Sequence, residues 1–181
     1  VALLASGAVT FNEGRTTLYL DAHGITQLTP KDTAQIDIDI DTSVPVNAVS
    51  ETISFPPELI EIVSINKANS FIDLWTEETA IREEAGEIHF SGGTTRPGGL
   101  VGSSTALSIQ VRAKKPGTAE IAFKEAVILK SDGHGTSVET VTRPFAYTIS
   151  YPVQTGSTIA AQAAAPGNRT AGANALSQLG D

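Results

Sequence analysis

Residues 35–41 read Gln-Ile-Asp-Ile-Asp-Ile-Asp, so that Ile36, Ile38 and Ile40 alternate with Asp37, Asp39 and Asp41. A two-residue period sends the isoleucines to one face of a strand and the carboxylates to the other; no helix gathers those isoleucines on one side. Leu107, Ile109 and Val111 repeat the pattern against Ser108, Gln110 and Arg112, as do Ile121 and Phe123 against Glu120 and Lys124. Near the end, Phe145, Tyr147, Ile149 and Tyr151 share one face of a last strand. Leu18 with Leu20, then Val49, Ile53 and Phe55, then Ile88 with Phe90 supply further strands, and residues 59–65 a mostly apolar one opened by Pro56-Pro57.

Turn-forming residues punctuate these runs: Pro30-Lys31-Asp32, residues 43–45, Gly92-Gly93, Pro97-Gly98-Gly99, Pro116-Gly117 and Asp132-Gly133. Short strands, frequent turns and no sustained helical period argue an all-β sandwich or barrel. Residues 77–84, Glu-Glu-Thr-Ala-Ile-Arg-Glu-Glu, are the one stretch expected to make a helical turn or two. From Tyr151 the composition shifts, and residues 154–181 are rich in Ala, Gly, Ser and Gln, nearly uncharged and interrupted by Pro166-Gly167, as in a linker or extended tail. The chain thus divides into an N-terminal strand or arm (1–15), a sandwich (16–153) and a tail (154–181).

Composition narrows the function. With 181 residues, 40% of them hydrophobic, the chain can bury one core. Twelve basic residues scattered among twenty acids give a net charge of −8, the wrong balance for a nucleic-acid partner. Cysteine is absent, which removes disulfides, thiolate nucleophiles and Cys-based zinc sites. No apolar run reaches the roughly 18 residues of a membrane span. The chain starts at Val1 and has no methionine, pointing to processing or to a longer precursor. Residues 1–8 are read as an ordered strand, with the end of a signal peptide as the alternative.

Two stretches resemble the cohesin family, the jelly-roll modules of cellulosome scaffolds and of many prokaryotic surface proteins. The first is V-N-A-V-S-E-T-I-S-F-P-P-E-L-I-E-I-V-S-I over residues 46–65, a strand, a Pro-Pro turn and a second strand. The second is G-E-I-H-F-S-G-G (86–93) followed by L-S-I-Q-V-R-A-K-K-P-G-T-A-E-I-A-F (107–123), with an acidic turn S-D-G-H-G-T at 131–136 before the last strand. The resemblance covers residues 16–150. It implies an antiparallel β-sandwich with jelly-roll topology and about nine strands, no catalysis, and protein–protein docking or surface attachment. It carries over no partner-contacting face.

Candidate chemistry is sparse. Asp21 and His23, and Asp132 and His134, sit in matching Gly-bearing loops that would offer four metal ligands if they met. Calcium is the candidate cofactor, with Asp132 and Asp21 as candidate ligands; Asp132 with backbone oxygens is the simpler site. Asp37, Asp39 and Asp41 are spaced about 6–7 Å apart and read as solvated groups that discourage edge-to-edge pairing. Glu51 alternates with apolar Val49, Ile53 and Phe55, for which a bulge, an edge position or a basic partner is the ordinary explanation. No nucleophile elbow or phosphate-binding loop occurs. Trp75 is the test of a sugar-binding surface, which would need aligned exposed aromatics, and Asn168-Arg-Thr170 is an N-glycosylation triplet in the tail. The resemblance, together with the lack of a catalytic motif, implies a non-catalytic extracellular or cell-surface module that binds a protein partner or copies of itself, even as a filament subunit. The second reading is a carbohydrate-binding module.

Overall fold

The computed structural model describes residues 14–152. Nearly all of the 1–15 arm, the 154–181 tail and the Asn168 triplet lie outside the described residues. Ten strands follow in order: β1 (Thr16–Asp21), β2 (Gln27–Leu28), β3 (Thr33–Ser54), β4 (Ile60–Asn66), β5 (Leu74–Arg82), β6 (Glu87–Gly93), β7 (Leu100–Ala113), β8 (Gly117–Lys130), β9 (Thr140–Arg143) and β10 (Phe145–Ile149).

β3 organises the rest. Its first half pairs antiparallel with β1 on one side and β7 on the other, and its second half pairs antiparallel with β6 and β8. One layer therefore runs β9-β1-β3-β7-β4 and the other β5-β6-β3-β8, with β10 and β2 continuing from the start of β8. β9 lies parallel to β1, and β10 lies antiparallel to β8, so the last two strands also bridge the layers. This is an antiparallel β-sandwich closed by jelly-roll crossings. Among the described residues no helix is long and apolar enough to cross a membrane.

The alternation legible in the sequence sets the core. Ile36, Ile38 and Ile40 are fully buried, with Leu18, Leu107, Ile109 and Val111 from the flanking strands. In the second half the inward positions are Val49, Glu51 and Ile53, continued by Phe55 just past the strand, so the inward parity of β3 changes from even to odd. The change needs an extra residue, and the ladder supplies it: registers shift between Thr42 and Val46 against β7, and between Val46 and Ala48 against β8.

Three sequence expectations are corrected. Residues 43–45 are not a turn between strands; the chain runs through them as β3 changes layers. Pro45, which has no N–H to give, falls in the gap left by the register shift, where proline is tolerated. Gly92 and Gly93 belong to β6 rather than to a turn. A Cβ at Gly92 would come within 2.6 Å of Ile72 Cγ2 and of the Leu74 carbonyl, and one at Gly93 would strike the Asn47 carbonyl, so glycine lets β3, β6 and β5 approach. Finally, residues 77–84 are not helical. Most of them lie in β5, where Ile81 pairs Ile88 and Arg82 pairs Glu87, and only the hairpin turn beyond, closed by Gly86 at φ +64°, coils. Pairing along the edge of β6 outweighs the helix propensity of the glutamates.

Because Ile38 is fully buried at the centre of its layer, Ile38→Ala should cost about 2–5 kcal/mol. Val127→Ala, on an exposed face, should stay within about 0.5 kcal/mol. Urea unfolding of both variants measures the contrast.

Candidate functional site

The two layers present unlike outer faces. On the first, Asp37, Asp39 and Asp41 point outward from β3. Thr105 Oγ1 donates to Asp39 at 2.7 Å, Ser103 Oγ to Asp41 at 3.1 Å, and Gln35 Nε2 to Asp37 at 2.8 Å. His23 Nε2 stands 3.2 Å from Asp37, and the His23 N–H donates to Asp21 at 2.7 Å. Burial, and then the Asp37 and Asp21 charges, raise the Asp39 carboxyl above its ordinary value, against the opposing Thr105 bond. The reading of these aspartates as edge protection is corrected: this half of β3 is flanked on both sides by β1 and β7 and has no open edge.

The four-ligand metal site is also corrected. Asp21 lies opposite Asp37 in the β1–β3 ladder, whereas the Asp132 loop packs beside Pro45, whose carbonyl accepts from Ser131 N at 2.9 Å. Eight residues of β3 separate the two points, roughly 25 Å. Asp132 instead accepts from His134 N at 2.9 Å, and the Thr136 hydroxyl followed by that N–H holds its carboxyl below the ordinary value. Among the described residues no three His, Asp or Glu side chains are grouped to hold an ion.

The second layer carries a trough. Its floor is the outward row of β3 paired to β6: Ala48 with Gly93, Ser50 with Ser91, Thr52 with His89. Small side chains keep the floor low, and longer ones on the neighbouring strands raise the sides. Val127 and Leu129 rise from β8, Leu74 and Thr76 from β5, enclosing about 320 Å³. Leu74 is 56% and Val127 48% exposed, unusual for side chains of this kind facing each other across a depression. Nothing in any single strand marks this surface, because its residues come from four separate segments.

Beyond the apolar end the floor turns polar. Thr52 Oγ1 lies 3.0 Å from His89 Nδ1, and His89 Nε2 lies 3.0 Å from Glu77 Oε2. With the carboxylate accepting from Nε2–H, the neutral ring accepts the Thr52 proton at Nδ1. The hydroxyl, ring and carboxylate have the order of a nucleophilic relay. Thr52, however, is buried in a flat sheet between β6 and β8, where the surrounding N–H groups are spent on ladders rather than aimed at a developing oxyanion. The line fixes the imidazole in the trough.

Trp75 supplies no flat platform. Its ring is half-buried, 6.2 Å from that of Phe90, and is covered by Lys67 Nζ at 4.1 Å from its centroid. Glu51, directly behind the trough floor, is 1% exposed and faces Phe90 and Ala126 across the ladders. The expected edge or basic partner is corrected: Glu51 is paired on both sides, the nearest register shift falls just beyond it between Thr52 and Ile53, and neither carboxyl oxygen has a hydrogen-bond partner.

No protein-family model and no curated protein matches the chain. Solved structures do. A non-cellulosomal cohesin from the hyperthermophilic archaeon Archaeoglobus fulgidus superposes with a TM-score of 0.60 at 15% identity, over 76% of this chain and 92% of that one. A type II cohesin domain from the cellulosome of Acetivibrio cellulolyticus gives 0.63 at 12%, over 74% and 95%. The Coh-OlpA–Doc918 type I cohesin–dockerin complex from Clostridium thermocellum gives 0.61 at 12%, over 75% and 99%. The chain has a cohesin-like jelly-roll fold.

Thr52→Val keeps the shape of the floor and removes the hydroxyl that holds His89. It should lower stability by about 1 kcal/mol and change the His89 Nδ1 chemical shift in nitrogen NMR; an unmoved shift would contradict the bond.

Proposed function

We propose that this chain is a non-catalytic assembly module, secreted or displayed at a cell surface, that docks a protein partner in the trough of β5, β6, β3 and β8. The observation that carries this reading is the pairing of a low, small-residue floor with exposed Leu74 and Val127 on its opposite walls. Burying two such side chains on binding is worth several kcal/mol before the cost of association. Three strand spacings separate the walls, about 14 Å, enough to seat an α-helix of roughly 10–12 Å diameter. The fold supports the same reading, since among its structural neighbours are cohesins in complex with dockerins.

Carbohydrate binding is the weaker alternative, because Trp75 is covered by Lys67 and Phe90 rather than offered to solvent. Self-association, up to a filament, is a further form the partner could take. Calcium at the Asp132 loop alone is a separate proposal. It predicts a melting temperature that rises with calcium in the native chain and is indifferent to calcium in Asp132→Ala; an unchanged native melt removes it.

For the docking face, Ser50→Arg should fill the floor without entering the core. A panel of type I dockerins and purified copies of this chain, titrated by calorimetry, should show a partner bound by the native protein. That partner should bind at least tenfold more weakly to Ser50→Arg and unchanged to Thr17→Arg on the opposite layer. Equal binding by both variants would move the site elsewhere.

A further inference from the structure

Glu51 sits on the inner face of the second layer, buried among apolar side chains and without a partner for its carboxyl. Its neighbours on the inner face of β3 are Val49 and Ile53, β6 presents Ile88 and Phe90 beside it, and β8 presents Ala126 and Ile128. The opposite layer contributes Ile36, Ile38, Ile40, Leu107, Ile109 and Val111 to the same interior. None of these titrates. The charged or titratable groups on the surrounding strands, Glu120, Lys124, Glu125 and Lys130 on β8, Glu87 and His89 on β6, and Glu77, Glu78 and Arg82 on β5, are exposed or engaged with one another or with Lys67. Among the described residues the other buried ionisable group, Tyr147, pairs with Ala119 at the far end of β8.

We propose that Glu51 is a proton-operated weak point in the second layer: the neutral acid is tolerated among Val49, Ile53, Phe90 and Ala126, and losing its proton drives the sandwich toward unfolding. Two oxygens without a protein partner at 1% exposure leave an ionised carboxylate with neither bulk solvent nor a counter-charge. Ionisation would act on the central strand of the layer, in a stretch where the β3–β8 register already shifts on both sides, at Val46/Ala48 and at Thr52/Ile53. Ser50 and Thr52, on the reverse of the same three residues, form the trough floor, so loosening here removes the docking face as well. The proposal itself concerns the fold and stands whether or not a partner docks there.

The sign follows from the two end states. Burial pushes the folded carboxyl up to about 8, while the unfolded chain releases its proton near the ordinary 4.5. Below about 4.5 both states hold the proton and the penalty is absent. Between about 4.5 and 8 the unfolded chain alone is ionised, and each pH unit multiplies the unfolded-to-folded ratio about tenfold. Above about 8 both are ionised and the loss is complete. Tyr147, whose burial raises it to about 12, titrates outside this window.

The test is denaturant unfolding of the full chain at pH 5 and pH 9, native against Glu51→Gln and Glu51→Leu. Effects of other groups are common to all three and cancel in the ratio. Between the two pH values the unfolding constant of the native chain should rise roughly a thousandfold relative to either variant. A ratio that is the same at both pH values overturns the proposal. Carboxyl carbon NMR of the native chain decides the matter even if a variant fails to fold. One glutamate resonance should titrate near pH 8, and titration of every carboxyl below pH 6 would refute the assignment.

Discussion

The shared strand β3 constrains everything else in this molecule. A strand that serves two facing sheets must turn its apolar residues inward in both, although the inward direction reverses as the chain crosses from one layer to the other. A straight two-residue period would leave one half with its isoleucines in water. The register shifts between Thr42 and Ala48 resolve the conflict by inserting a residue, and Pro45 rests where no ladder bond is required. The partners β1, β7, β6 and β8 then take their register from β3, so an error at the crossing would misalign both layers at once.

The outer faces follow from the same strand. Its first half alternates isoleucine with aspartate, and its second half alternates Val49, Glu51 and Ile53 with Ala48, Ser50, Thr52 and Ser54. One face is therefore acidic and hydrogen-bonded, the other low and almost neutral. Gly93 and Ser91 continue the low floor on β6, and the walls rise only where β5 and β8 offer Leu74, Val127 and Leu129. A concave surface on a flat sheet thus arises from side-chain size, with no loop or helix required to build it.

Much of the fold was legible because it depends on local alternation. Ile36-Asp37-Ile38-Asp39-Ile40 admits one reading, and the turns at Pro116-Gly117 and Pro97-Gly98-Gly99 fall where their residues indicate. What was not legible depends on pairing. Whether 43–45 is a turn or a bend inside a strand is decided by β7 and β8, which lie over fifty residues away. The glutamates of 77–84 favour a helix in isolation and become a strand because β6 has an edge to cover. Glu51 was visible as an anomaly, but an ion pair, an edge and an orphaned acid leave the same local sequence. The trough was invisible for a simpler reason: serine, glycine and alanine carry no motif, and their meaning comes only from standing side by side.

The asymmetry between the faces bears on which one can meet another macromolecule. Asp21, Asp37, Asp39 and Asp41 lie on one side of the sandwich in a chain of net charge −8. Two copies brought together through that layer would oppose like charges in a contact that also strips them of water, a cost that rises as the surface is buried. Their hydrogen bonds to Thr105, Ser103 and Gln35 are made within the face and would have to be kept or broken in any interface. The trough layer opposes no such barrier at its apolar end, where Leu74, Val127, Leu129 and the small floor exclude water at little electrostatic cost. Toward the other end of that face Glu87 is neutralised by Lys124 and Arg82, and Glu77 and Glu125 stand beside them. The acidic layer is thus the disfavoured side for a second copy of this chain or for any other acidic partner, whose charges it would oppose.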